Sequence, residues 1–248
     1  MSTSANIVVQ ATPYEYESRL DRTALLVIDM QCDFVERGGF GELLGNDVTT
    51  MRYIIDSIRR VLAASRAAGM TVIHTREGHQ PDLSDCPPSK LARGRLSRRI
   101  GDRGPNGRIL VRGERGHNII EELRPIQGEI VVDKPGKGSF YATDLDDLLR
   151  QRRVESLIIT GVTTEVCVHS TLREANDRGY ECLVLSDCVQ SYFPEFQRIA
   201  LQMISAQGGI FGWVSSSAQF LSALEESGRA TAGDWESASQ NIQGRNST

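Results

Sequence analysis

Apolar positions along this chain gather into six short runs separated by longer amphipathic stretches. The runs are Ala24–Ile28, Thr71–His74, Ile130–Val132, Leu157–Thr160, Cys182–Leu185 and Ile210–Val214. Several are unbroken Leu, Ile and Val, the pattern of strands covered on both faces of a parallel sheet. Between them, Thr49–Ala68 carries Met51, Ile54, Ile55, Ile58, Val61 and Leu62 at helical spacing and stops at Gly69. Thr143–Arg152 places Leu145, Leu148 and Leu149 on one helical face. Thr164–Arg178, Gln197–Ala206 and Ser217–Glu225 complete the helical set. Strand–helix alternation of this kind predicts one three-layer α/β domain over residues 21–225, with a parallel sheet in the middle.

The flanks read differently. Residues 226–248 are rich in Ser, Gly, Asn and Gln, which predicts a flexible tail or an arm on a neighbouring subunit. Residues 1–20 read as an N-terminal arm that Tyr14 and Tyr16 can anchor. The long Pro-, Gly- and Arg-rich segment Gly78–Gly116 shows no clear element. Its densest basic stretch, Lys90 to Arg103, reads as a solvated loop or subunit contact.

Composition narrows the function classes. The net charge of −4 is spread over mixed basic and acidic residues, which argues against nucleic-acid or anionic-membrane partners. No run has the apolar length of a membrane span, and Met1–Gln10 lacks the pattern of a secretory signal. The five cysteines are widely spaced, with no CxxC pair. Free thiols in a reducing, cytoplasmic setting fit better than a disulfide framework or structural zinc.

In open α/β sheets, ligands bind beyond the carboxyl ends of the strands. The first strand ends in Asp29, the third in Asp133-Lys134, and the fourth leads through Gly161-Val162-Thr163-Thr164-Glu165-Val166 to Cys167. Cys167 falls in the first turn of a helix, where unpaired N–H groups and the dipole favour a thiolate. Each residue has a plain structural reading by itself: an inert buried thiol, a strand-end acid, a salt-bridged lysine. Together they form a working set, with a nucleophile, a proton carrier and a cation that supports both.

The segments around these residues resemble one family. Asp29-Met30-Gln31-Cys32-Asp33-Phe34, Asp133-Lys134-Pro135-Gly136-Lys137-Gly138-Ser139-Phe140 and Gly161–Val168 are similar to the three ordered motifs of the isochorismatase-like cysteine hydrolases. The resemblance covers roughly residues 20–225. It implies a three-layer αβα, Rossmann-like domain with a six-stranded parallel sheet and an Asp29–Lys134–Cys167 triad. It also implies a non-proline cis peptide at Val162–Thr163, an oxyanion hole from the N–H groups of Thr163 and Cys167, no cofactor, and a homo-oligomer, often a tetramer. Members that cleave vinyl ethers lack the cysteine, so Cys167 points to an amidase-type reaction. Nicotinamidases of the family hold a metal after the second strand; the spacing of His74 and His79 departs from that pattern, and no metal is expected.

Within the family the chain most resembles biuret hydrolase and related ureido-amide hydrolases. The segments behind this are His74–His79, Arg173–Cys182 and Ala206–Gly212. That resemblance makes Gln207 a substrate contact, with Phe34 and Phe140 walling the pocket. The chain departs from it at Tyr141 and over Val189–Phe196. Triuret, ureidoacrylate and N-carbamoyl amino acids therefore stand beside biuret as expected substrates. A non-catalytic small-molecule-binding member, or a redox-sensing thiol with Cys32 as resolving partner, are the rival readings.

Overall fold

A computed structural model describes residues 5–93 and 98–228. Its centre is one sheet of six strands: β1 (Thr23–Ile28), β2 (Thr71–Glu77), β3 (Ile130–Lys134), β4 (Ser156–Val162), β5 (Glu181–Gln190) and β6 (Trp213–Ser215). The spatial order is β6-β5-β4-β1-β2-β3, and every pairing is parallel. The longer helices are α1 (Ile55–Ala67), α2 (Leu145–Gln151), α3 (His169–Asp177) and α4 (Pro194–Gly209). A fifth, α5, spans residues 217–228.

Side chains alternate across a strand, so each central strand serves two cores. Leu25 and Val27 of β1 join Ile158 of β4 and Leu183 and Leu185 of β5 on one face. There they meet Ile55, Ile58, Val61 and Leu62 of α1 and Phe220 and Leu224 of α5. Ala24, Leu26 and Ile28 join Leu157, Ile159 and Val184 on the other face. These pack on Leu145 and Leu149 of α2, Leu172 and Ala175 of α3 and Ile204 of α4. Burial on both faces is why the runs are continuous rather than alternating. Each fully buried aliphatic side chain contributes about 1.5–3 kcal/mol.

Several boundaries differ from the sequence pattern. β2 continues three residues past His74 to Glu77, and β5 runs on to Gln190. Polar residues end the apolar runs, but the backbone pairing carries on: Arg76 and Glu77 pair with Asp133 and Lys134. The N-terminal segment folds back as an antiparallel hairpin of Asn6–Val9 and Tyr16–Arg19. Its Ile7, Val9 and Tyr16 are buried in the α1-side core, and Thr12 pairs with Val214. The described residues of Gly78–Gly116 hold a short helix, Pro88–Leu91, a hairpin of two-residue strands, Arg103–Gly104 with Gly107–Arg108, and the start of a 3-10 turn at Arg115–His117. Most of the expected tail, beyond Gly228, lies outside the described residues.

The strand order reverses between β1 and β4, which lie side by side although the chain visits β2 and β3 between them. Their carboxyl ends border the crevice where such sheets take ligands. Gly161 near the end of β4 makes the close approach possible. Its φ is +109°, and a Cβ there would lie 2.0 Å from the Ile28 carbonyl oxygen. Gly161→Ala is expected to cost at least about 2 kcal/mol, because rigid backbone must move to admit the methyl. Urea denaturation of the purified variant measures this; an unchanged midpoint would show that the two strands separate freely.

Candidate active site

The register of the sheet brings the strand ends to one level. Ile28 lies opposite Thr75 on one side and Gly161 on the other, and Glu77 lies opposite Lys134. Asp29 follows β1 directly and takes a positive φ of 51°, a conformation Asp tolerates better than most residues. Its N–H donates to the Thr75 carbonyl at 3.2 Å, and the Thr75 hydroxyl donates to Oδ1 at 2.7 Å. Oδ2 faces Lys134 Nζ at 2.7 Å. Lys134 also donates to the carbonyls of Gly136 at 3.0 Å and Lys137 at 2.9 Å. Asp29 and Lys134 are both wholly buried.

Cys167 arrives from the other side of the crevice. The peptide Val162–Thr163 is cis. The turn that follows is wound with one extra residue: Val168 N–H donates to Thr163 O, five positions back, and α3 begins at His169. Cys167 is buried, and its Sγ lies 3.6 Å from Glu77 Oε2. A carboxylate oxygen of Asp29, one of Glu77 and the sulfur all lie within 4.8 Å of one another. That donor set is one that could hold a metal ion, and the Lys134 ammonium brings fixed positive charge to the same carboxylates.

Glu77 is the member of this group that the sequence pattern missed. The signal was present: Glu77 closes β2 as Asp29 follows β1. The apolar run ends at His74, three residues before the strand does. The Glu77 carboxylate is fully buried, with Oε1 at 3.0 Å from Lys90 Nζ and 2.7 Å from Lys137 Nζ.

The charges explain one another. Burial alone would raise the Glu77 pKa, but Lys134, Lys137 and Lys90 hold it down at about 2. Burial alone would lower the Lys134 pKa, but Asp29, Cys167 and Glu77 hold it above the usual lysine value. At Cys167 burial wins. It pushes the thiol well above its ordinary pKa, Asp29 and Glu77 push the same way, and Lys134 and Lys137 oppose them without prevailing. The helix-start thiolate read from the sequence is therefore a neutral thiol at rest, and it needs a base to ionise.

The sulfur faces a cavity of about 210 Å³ lined by Phe34, Glu77, Lys137, Thr163, Cys167 and Tyr192, among others. Tyr192 donates its hydroxyl to the Phe34 carbonyl at 2.6 Å. Phe34 thus stands at the pocket, whereas Phe140 is packed in the core, stacked on Tyr180 at 5.9 Å between centroids. Gln207 is exposed in a break of α4 at a φ of 53° and is not among the pocket's lining residues. His74 and His79 turn to Glu129 at 3.1 Å and Asp85 at 3.2 Å, away from the thiol. A second cavity of about 460 Å³ shares Phe40, Leu44 and Lys137 with the first. Lys90, Arg93, Arg98 and Arg99 line it, so part of the basic stretch borders a chamber beside the thiol.

Two outcomes follow from these charges. Alkylation of Cys167 by iodoacetamide is expected to be slow at neutral pH and to rise only above about pH 9, since the thiol is held above its ordinary value. A pH profile with mass-spectrometric readout checks it, and a plateau below pH 7 would contradict it. Lys134→Met leaves the Asp29 carboxylate buried and unpaired, which is expected to cost about 3–5 kcal/mol. Chemical denaturation at pH 7 checks this.

Comparison with known proteins agrees with this geometry. The isochorismatase domain model matches residues 23–219. A ureidoacrylate amidohydrolase RutB of Methylorubrum extorquens is 37% identical over 223 residues, 88% of this chain and 89% of that protein. The RutB of Cronobacter turicensis is 36% identical, covering 82% and 89%. Among solved structures, a cysteine hydrolase from Pseudomonas syringae superposes with a TM-score of 0.71 at 29% identity, covering 92% of this chain and 100% of the other. An N-carbamoylsarcosine amidase from Thermoplasma acidophilum superposes at 0.60 and 25% identity, covering 79% and 96%. The chain belongs to the isochorismatase family of hydrolases.

Proposed function

We propose that this protein is a cysteine-dependent amidohydrolase of small ureido acids, compounds that join a ureido group to a carboxylate as ureidoacrylate does. The observation that carries the reading is a buried Asp–Lys–Cys set under a small pocket, next to a chamber with five cationic side chains and no acidic one. The ureidoacrylate amidohydrolases among its relatives support the same substrate class. Biuret carries no charge and leaves Arg93, Arg98 and Arg99 without a role. The carboxylate-bearing alternative is therefore preferred to biuret itself.

The reaction runs as follows. Asp29 takes the proton of the Cys167 thiol as the sulfur attacks the ureido carbonyl carbon. The tetrahedral oxyanion is received by the backbone N–H groups of Thr163 and Cys167. Asp29 returns the proton to the departing nitrogen, the C–N bond breaks, and ammonia or an amine leaves. Water, deprotonated by Asp29, then attacks the remaining S-carbamoyl (thiocarbamate) carbon, and the departing sulfur takes that proton back as the free thiol. Lys134 holds Asp29 in place between the two halves of the cycle. Phe34 and Tyr192 wall the pocket that holds the ureido group.

Cys167→Ser is expected to keep the fold and lose at least about a thousandfold in turnover of ureidoacrylate, measured by ammonia release. Arg93 and Arg99 are exposed, and no side-chain partner of either is seen among the described residues. Neutralising both (Arg93→Gln with Arg99→Gln) is expected to raise KM for a ureido acid about 5–10-fold while changing that for biuret less than twofold. Equal effects on both substrates would remove the role of the basic chamber, and silence of the wild type on every ureido compound would overturn the proposed activity.

A further inference from the structure

The acid–base cycle above uses Asp29, Lys134 and Cys167. It leaves one charged group at the sulfur unexplained. Glu77 is a wholly buried carboxylate whose two oxygens face different surroundings. Oε1 is taken up by Lys90 at 3.0 Å and Lys137 at 2.7 Å. Oε2 looks toward the sulfur: the Cys167 thiol lies at 3.6 Å and Lys134 Nζ at 4.0 Å. Among the described residues the thiol is its one hydrogen-bond partner, and Glu77 itself lines the pocket.

A carboxylate oxygen accepts two donors, and an S–H is a weak one. Chemistry at Cys167 removes even that. Once the thiol proton has gone to Asp29 and the sulfur is bonded to carbon, Oε2 is a buried anionic oxygen with no donor of its own. Leaving it so is costly. The group placed beside it at that moment is the substrate. A ureido group carries N–H donors on both nitrogens. An ester or an ionised carboxylate has only lone pairs to turn toward the same oxygen and would be repelled.

The geometry points to Glu77 as a substrate-reading residue: its Oε2 accepts an N–H of the ureido group, while Lys90 and Lys137 hold the carboxylate at the edge of the pocket. This assignment rests on the ureido-hydrolase reading. It makes Glu77 a determinant of amide over ester, a role distinct from proton transfer. The two lysines belong to the loop and the turn that border the basic chamber. One carboxylate thus links the cations beside the pocket to the reacting sulfur.

The test compares two probes of the same sulfur. Ureidoacrylate carries the N–H donors. Methyl methanethiosulfonate carries none and reports only whether the thiol is accessible and ionisable. Glu77→Gln replaces an acceptor oxygen by a donor, and Glu77→Asp keeps the charge that pairs the lysines but draws it back from the pocket. Both variants are expected to lose about 10–100-fold in kcat/KM for ureidoacrylate. In Glu77→Gln, methanethiosulfonate is expected to modify Cys167 as fast as in the wild type or faster, because a negative charge beside the sulfur is gone. A parallel fall with both probes in the variants would show that Glu77 merely positions the site and would overturn the assignment. Unchanged ureidoacrylate kinetics would overturn it as well. If Glu77→Gln does not fold, Glu77→Asp decides by the same pair of rates. Wild-type protein that reacts with methanethiosulfonate but turns over no ureido compound would overturn the proposed function, and this assignment with it.

Discussion

The structure turns on one buried ammonium. Lys134 is surrounded by the Asp29 carboxylate at 2.7 Å, the Glu77 carboxylate at 4.0 Å and two backbone carbonyls. Two carboxylates and a thiol inside a protein would repel one another and lose their hydration; each by itself would be driven toward its neutral form. The lysine opposes that at Glu77, and its contact with Asp29 sets the carboxylate beside it. Lys90 and Lys137 supply further compensation at Glu77 from outside.

The sheet makes that cluster possible because hydrogen-bond register is a rigid ruler. Four parallel strands, β4, β1, β2 and β3, end at nearly the same height, so the residues at or just after their ends meet without any long-range search by flexible loops. Reversal of strand order between β1 and β4 opens the crevice, and Gly161 lets the two backbones approach there. The cysteine comes from a turn wound wider than an ordinary helix, after which α3 packs against the far face of the sheet. The Asp29, Lys134 and Cys167 cluster is thereby placed at the ends of the central strands.

One layer further out lie the walls of the two cavities. Phe34, Tyr192 and Phe193 border the pocket, while Lys90, Arg93, Arg98, Arg99 and Tyr141 border the chamber beside it. Tyr141 and the Val189–Phe196 stretch are where the chain departs from the biuret-hydrolase pattern, and both reach these cavities. Variation there can reshape these cavities without altering the strand ends that carry Asp29, Lys134 and Cys167.

Hydrophobic patterning by itself determined the layer architecture and the six strands, and it set Asp29, Lys134 and Cys167 at the ligand edge, because continuous apolar runs mark strands buried on both faces and the residues after them mark that edge. It did not determine where β2 ends. Backbone pairing with β3 carries β2 past its apolar run to Glu77, and only the neighbouring strand shows that. Nor did it place the N-terminal hairpin in the core, since Ile7, Val9 and Tyr16 are too few to read as a buried element until the α1-side surface is there to receive them. The ionisation of Cys167 was likewise beyond the sequence. A helix start argues for a thiolate, but burial and two carboxylates decide for the thiol, and desolvation is a property of the packed site rather than of the motif.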